Sequence, residues 1–171
     1  MKLFDKIKNP LIKGERLVLR DISDLDKFEY FSIYTDEEEN KYWGYDYKED
    51  LKSIKPTPDY FILFQSLLKE NKLEYSLAVT LNDKMIGEVV MHNFLDEQVE
   101  LGVRISKNYQ SFGYGYEAMS LLINYVKDNL KPKFIVSKCY KENIRSYNLL
   151  TKCGFNFDYK DDTYNYFKII C

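Results

Sequence analysis

Histidine is the scarcest reactive residue in this chain: His92 is the only one among 171 residues. A metal site built on several imidazoles is thereby excluded, and a Ser-His-Asp triad would have to use that single ring. Cysteine is nearly as scarce. Cys139, Cys153 and Cys171 are odd in number and show no C-x-x-C spacing, which argues against both a zinc site and a disulfide framework and for a reducing compartment. No apolar run reaches the length of a membrane span. The opening Met1–Lys8 stretch is charged throughout and lacks the apolar core of a signal peptide. A cytoplasmic protein with no membrane partner is therefore expected. A large net charge is absent as well. Lys plus Arg number 25 and Asp plus Glu 27, a net charge of −2, which gives no reason to expect nucleic acid as a partner. There is no internal repeat, Gly/Ser linker or low-complexity tract, so residues 1–171 read as one domain, long enough to bury a core without disulfides or metal.

What the chain does have is aromatic residues: 16 Tyr, 11 Phe and 1 Trp. That richness excludes disorder. The charge is also unevenly spread. Residues 1–20 carry a net +4 and residues 21–50 a net −8. The acidic part contains Asp36-Glu-Glu-Glu39 and is interleaved with Tyr34, Tyr42, Trp43, Tyr45 and Tyr47.

Periodicity gives the elements. Arg16–Arg20 is a short strand. Ser23 with Asp26 three residues on caps a helix through Phe28 and Phe31. Residues 35–55 read as loop or broken helix. Thr57-Pro58 starts a helix reaching Asn71. Tyr75–Leu81 and Met85–Asn93 are strands joined by an Asn82-Asp83 turn, and Val99–Ile105 is another. Ala118, Leu121, Leu122, Tyr125 and Val126 mark an amphipathic helix. Phe134–Tyr140 is a strand. Asn143 caps a helix that stops at Gly154, and Phe155–Tyr159 with Tyr164–Ile170 forms a closing hairpin. The order is β-α-α-β-β-β-α-β-α-β-β, an α/β (α+β) domain with a mixed sheet flanked by helices. Phe28, Phe31, Phe61, Phe64, Phe134, Phe155 and Phe157 fall in these elements and read as core. Cys139 and Cys153 read as packing residues.

The segment that points to chemistry is Val99–Tyr116, a strand, a short loop and a helix. The loop reads Gln110-Ser111-Phe112-Gly113-Tyr114-Gly115. Two glycines one residue apart before a helix allow a tight turn whose free amides converge at the positive end of the helix dipole, a diphosphate-binding geometry. No Lys-Ser/Thr follows, so it is not a Walker A loop, and a third glycine is missing, so it is not the dinucleotide fingerprint. A tight strand-to-helix turn with no ligand would use the same residues.

The Gln-x-x-Gly-x-Gly pattern after a strand closely resembles the acetyl-CoA loop of the GNAT N-acetyltransferase superfamily. Further features fit in order. Glu100-Leu-Gly-Val103 precedes the loop and Tyr116-Glu117-Ala118 opens the following helix. Asn143-Ile-Arg-Ser146 followed by Lys152-Cys-Gly-Phe155 is similar to a second signature. Gly14-Glu-Arg-Leu-Val-Leu-Arg20 is similar to the opening strand of the subgroup that acetylates ribosomal-protein N-termini. The resemblance covers roughly residues 12–170. It implies a GNAT fold, a mostly antiparallel sheet of about seven strands splayed between the fourth and fifth, with about four helices. It implies acetyl-CoA as cosubstrate, no metal, and direct attack of an amine on the thioester. The pyrophosphate would lie on the amides of Gln110–Gly115, with Phe112, Tyr114 and Tyr116 beside it. Backbone groups at Val103 and Ile105 would hold the pantetheine arm, with Asn143 bonding it and Ser146 near the thiol.

Glu100 is the first candidate for the general base, since it alternates with the apolar set of its strand. The structural alternative is a salt bridge to Arg104 on the same face. Glu88 is a reserve base, and His92 is a candidate that more often serves as a structural hydrogen bonder. Ser146 is the candidate acid. The tyrosine that many members carry later in this helix is replaced by Leu150, with Tyr147 out of register, and this keeps open a non-catalytic acyl-CoA sensor. Tyr34, Trp43, Tyr45 and His92 are expected at the acceptor side, where an acidic aromatic surface suits a cationic amine, or else forms a solvated loop packed on the core. The acceptor is a protein N-terminus or a small amine, with an aminoglycoside as the rival. The chain is expected to act as a monomer or homodimer.

Overall fold

The structure, a computed structural model, describes residues 2–44, 46–52 and 54–171. Local signals set most boundaries. Ser23 and Asp26 form a reciprocal capping box, which satisfies two otherwise orphaned amides. Asp26 also takes two hydrogen bonds from the Arg20 guanidinium at 2.7 and 2.8 Å. A 3-10 turn leads from the box into α1, Lys27–Thr35. The polar aromatic stretch is broken helix: α2 spans Glu37–Asn40 and α3 spans Tyr47–Leu51. Thr57 caps α4, Pro58–Glu70, with Pro58 in the first turn. Asn82 and Asp83 both adopt positive φ, as a two-residue hairpin requires.

The strands are β1 (Ile12–Lys13), β2 (Leu17–Asp21), β3 (Glu74–Leu81), β4 (Lys84–Leu95), β5 (Gln98–Ile105), β6 (Phe134–Tyr140), β7 (Asn156–Lys160) and β8 (Tyr164–Ile170). They form one sheet in the order β1-β2-β3-β4-β5-β6-β8-β7. Every pairing is antiparallel except β5 with β6. The two-residue β1 is additional to the expected seven strands, so the expected splay falls between β5 and β6. α5 (Tyr114–Tyr125) and α6 (Ile144–Lys152) complete the chain; a π-helical turn, Val126–Leu130, extends α5 before Pro132.

The two sheet faces are covered differently. Tyr75, Leu77 and Val79 of β3 join Val89, Met91, Val99 and Leu101 under Ala118, Leu122 and Val126 in the larger core. Ala78, one residue out of phase, faces the smaller core of Tyr30, Ile33, Tyr34, Phe61 and Met85 beneath α1 and α4, as period-2 alternation dictates. Two expected core residues are corrected. Phe28 is 65% exposed on the outer side of α1, and Phe157 is 48% exposed on the edge strand β7, where no neighbour covers it from outside. Phe61 and Phe155 are buried as expected.

Candidate active site

β5 and β6 pair only at Gln98–Phe134, Val99–Ile135 and Glu100–Val136. Both strands continue beyond, so the sheet forks. The Ser137 hydroxyl donates to the Leu101 carbonyl at 2.8 Å immediately past the last pair. On the same edge the Ile105 carbonyl accepts from the Gln110 side chain at 2.7 Å. Backbone groups alternate sides along a strand. Val103, midway between Leu101 and Ile105, therefore directs its N–H and C=O into the gap.

The loop after β5 is built to expose amides. Ser111 and Gly113 adopt φ of 70° and 83°, the left-handed region that favours glycine. The first intrahelical bond of α5 is Glu117 N–H to the Gly113 carbonyl, 3.1 Å. The amides of Tyr114, Gly115 and Tyr116 have no carbonyl one turn back to bind. The Phe112 carbonyl is held by Arg16 Nη1 at 2.9 Å, and Arg16 also lies 4.7 Å from the Tyr114 ring centre. Glu117 accepts from the Arg16 side chain and from the Arg16 and Leu17 amides at 2.8, 2.8 and 3.0 Å. Burial pushes its carboxyl up, but these bonds hold it below the usual carboxylate range. Arg16 and Glu117 carry no motif signal for this brace, because their partnership crosses a hundred residues of chain. A Cβ on Gly115 would meet Leu149 at 3.6 Å and Ile105 at 3.7 Å, ordinary contacts, so the chain's own packing does not demand glycine there. Gly113 is different. Gly113→Ala is expected to cost about 1–2 kcal/mol through its positive φ, and to weaken CoA binding measured by titration calorimetry; wild-type affinity in this variant would remove the loop from the binding site.

The structure gives Gln110 a bracing role: its amide joins the end of β5 to Arg145 of α6, which donates to Gln110 Oε1 at 2.8 Å. Phe112 and Tyr116 are exposed beside the loop and Tyr114 is half-buried. Asn143 caps α6 by accepting from the Ser146 amide at 3.1 Å. The Ser146 hydroxyl lies against the Cys139 thiol. Burial raises the Cys139 pKa, opposed by hydrogen bonds from Asn165 and Ser146. Burial likewise pushes Cys153 up to about 11. Neither thiol is an activated nucleophile. Leu150 is in the core and Tyr147 packs on Phe167 at 5.1 Å.

Glu100 stands at the last paired register of the fork. Asn93 Nδ2 donates to its Oε2 at 2.7 Å, while Lys138 Nζ and His92 Nε2 lie 3.7 and 3.8 Å from its Oε1. Asn93 reaches Glu100 because β4 is bulged there and Asn93 has a φ of 48°. The alternating pattern alone would send its side chain to the opposite face. His92 is lowered below the ordinary imidazole value, first by burial and then by Lys138, with Glu100 opposing, so the ring is neutral at pH 7. The considered Glu100–Arg104 salt bridge does not form. Arg104 pairs with Glu88 in the sheet interior, and Glu88 also accepts from the Tyr30 hydroxyl at 3.0 Å. Glu88 is thereby enclosed and is withdrawn as a reserve base.

The acceptor-side residues separate. Tyr34 is only 5% exposed, stacked on Phe61 at 4.6 Å, with its hydroxyl 3.3 Å from that of Tyr30. Its place in α1, one turn after Tyr30, puts it beneath the expected wall instead of on it. Trp43 is half-buried over Gly102, where a Cβ would come 3.5 Å from its ring. Tyr45 lies outside the described residues. Much of the acidic run is paired: Glu37 with Lys48, Glu38 with the Lys107 ammonium, Glu39 with the Lys107 amide.

A parallel strand pair that forks, with a free strand edge on one side and a helix start at its end, is the arrangement that the sequence resemblance implies for an acyltransferase cleft. The sequence model of the acetyltransferase (GNAT) domain matches residues 16–156, and the chain belongs to that family of acyltransferases. The uncharacterized N-acetyltransferase YoaA of Bacillus subtilis (strain 168) is 25% identical over 149 residues, covering 85% of this chain and 82% of the relative. Mycobacterium smegmatis RimJ, solved in complex with CoA-disulfide, superposes with a TM-score of 0.79 at 12% identity, covering 95% of this chain and 88% of that one. Spermidine N-acetyltransferase from Vibrio cholerae, solved with CoA and spermine, gives a TM-score of 0.76 at 16% identity over 92% and 96%. The fold expected from the sequence is borne out. Among the described residues no helix is long and apolar enough to cross a membrane.

Proposed function

We propose that the protein acetylates a primary amine, a protein N-terminus or a small cationic amine, with acetyl-CoA as donor. The observation that carries this reading is the three-pair β5–β6 seam opening beside the Ser111–Tyr116 amide cradle. The cradle suits the pyrophosphate, and the Val103 edge suits the pantetheine amides as an added strand would. The Val103 N–H, on the open edge of β5, would hold the thioester oxygen as it becomes an oxyanion. Glu100 takes a proton from the ammonium, and the freed amine lone pair attacks the carbonyl carbon. As the tetrahedral intermediate collapses the C–S bond breaks, and the second nitrogen proton passes to the thiolate, which leaves as the CoA thiol. Ser146 is assigned the thiol end of the cleft. The Trp43 ring over Gly102 of β5 and the spermine-bound neighbour support a cationic acceptor. The free cysteines support a cytosolic site of action.

CoA at 100 times its Kd stabilises a native protein by about 2.7 kcal/mol, which at this size raises Tm by roughly 5–10 °C. Thiol release should then appear with a polyamine or with a peptide carrying a free N-terminus. CoA binding without turnover on any amine would replace this reading by the acyl-CoA sensor.

A further inference from the structure

The segment facing the fork is held more firmly than an acidic surface loop requires. Asp36 caps α2 by accepting from the Glu39 amide at 3.0 Å. Asn40 Nδ2 donates to the carbonyls of Ile33, Tyr34 and Asp36 at 2.7, 3.1 and 2.7 Å, which locks the end of α2 to the end of α1. The Oδ1 of Asn40 accepts from Arg104. The Arg104 guanidinium lies between two rings, 4.1 Å from the Tyr34 centroid and 4.4 Å from that of Trp43, and pairs with Glu88. Apart from Glu88, these partners all belong to residues 34–43.

The same short segment reaches across the gap. Trp43 rests on β5 at Gly102 and Arg104. Tyr42 meets Tyr140 of β6 with ring centres 5.5 Å apart. Glu38 and Glu39 engage Lys107, just beyond β5. Residues 38–43 thus form a strap over the place where the two strands part. A buried Glu–Arg pair is weak support for stability, since an apolar pair of similar volume often does as well or better. A planar cation gripped by two rings and an amide fixes position instead.

We infer that Arg104 is a positioning residue for the acceptor. Rooted in β5, it pins Trp43 and the strap across the fork and thereby sets which amines reach the thioester. The inference rests on the acetyl-transfer reading above. Trp43 is the one tryptophan of the chain, so its fluorescence reports the strap directly and without turnover.

Arg104→Lys keeps a cation facing Glu88 but cannot stack between two rings. It is expected to raise the acceptor KM about ten-fold or more, with kcat at saturation and the acetyl-CoA KM within about three-fold. Iodide quenching of Trp43 should increase in the free protein. Trp43→Phe, which keeps a ring face for the guanidinium, should restore near-wild-type KM, whereas Trp43→Leu should match Arg104→Lys. Should Arg104→Lys fail to fold by circular dichroism, Asn40→Ala leaves the Glu88–Arg104 pair intact and removes Arg104's tie to the strap together with the three carbonyl bonds that join α2 to α1; the same KM signature is expected. Unchanged quenching and unchanged acceptor KM in the folded variants overturn the inference, as does an equal rise in the acetyl-CoA KM. Absence of turnover in the wild type sinks the acetyl-transfer reading, and with it the acceptor role of the strap.

Discussion

Replacing Glu100 by glutamine is expected to lower kcat by about 10²–10⁴-fold, the usual worth of a general base, while the acetyl-CoA KM moves by less than about two-fold. The position supports this. Glu100 is the last residue of β5 paired to β6, and the next two residues begin the free edge where the thioester is assigned. Its two oxygens are oriented from three sides by Asn93, Lys138 and His92, so the carboxylate is held in one attitude toward the fork. Glutamine is isosteric and keeps an acceptor oxygen for Asn93, so the substitution removes proton affinity and little else. His92→Gln is the control. A ring kept neutral by burial and lying beside the carboxylate orients it, and its loss should cost less than about ten-fold, below the range for a general base. Full activity of the Glu100→Gln enzyme on an amine that the wild type acetylates would remove Glu100 from the mechanism.

The second large effect is on stability. Glu74→Gln is expected to stabilise the protein at pH 8 by on the order of 2–3 kcal/mol, or roughly 5–10 °C in Tm. Burial, and then the nearby Glu88, push the Glu74 carboxyl up to about 7. In the unfolded chain it returns to the ordinary glutamate value of 4.5. The folded state therefore holds the proton more tightly. That contribution is complete below pH 4.5 and is lost as pH rises through about 7, where a buried charge appears next to Glu88. Glutamine can still accept the 3.0 Å bond that Ser76 donates and never ionises. His92 acts in the opposite direction: its lowered pKa gives stability that is present above 6.5 and lost as pH falls through the folded value. Thermal melts at pH 5 and pH 8 separate the two. The Glu74→Gln gain should be confined to the higher pH, and an equal gain at both would assign the effect to packing.

The sequence exposed the frame well because its signals are local. Ser23, Thr57 and Asn143 each cap the helix they announce. The alternation in Val99–Ile105 and the glycine spacing after it mark the candidate cofactor loop without reference to distant residues. What stayed hidden depends on contacts between segments. Tyr34 reads as surface because its sequence neighbours are acidic, yet the turn of α1 carries it into the core. Arg104 and Glu88 share a face through the β4–β5 register, which a pattern in either strand alone does not reveal. Asn93 becomes a partner of Glu100 only through a bulge, and Gln110 becomes a brace only because Arg145 arrives from α6.

The seam between β5 and β6 has a mechanical side. Three residue pairs and the Ser137 hydroxyl join a five-stranded leaf to a three-stranded one, so the molecule is a book with a short spine. The Tyr42–Tyr140 contact and the Gln110–Arg145 bond tie the pages further out, and a long thin ligand bonded to both would work as stitching. Acetyl-CoA bound along the Val103 edge and against α6 would stiffen the sheet as a whole, and product release would be the moment at which the two leaves regain their freedom to breathe.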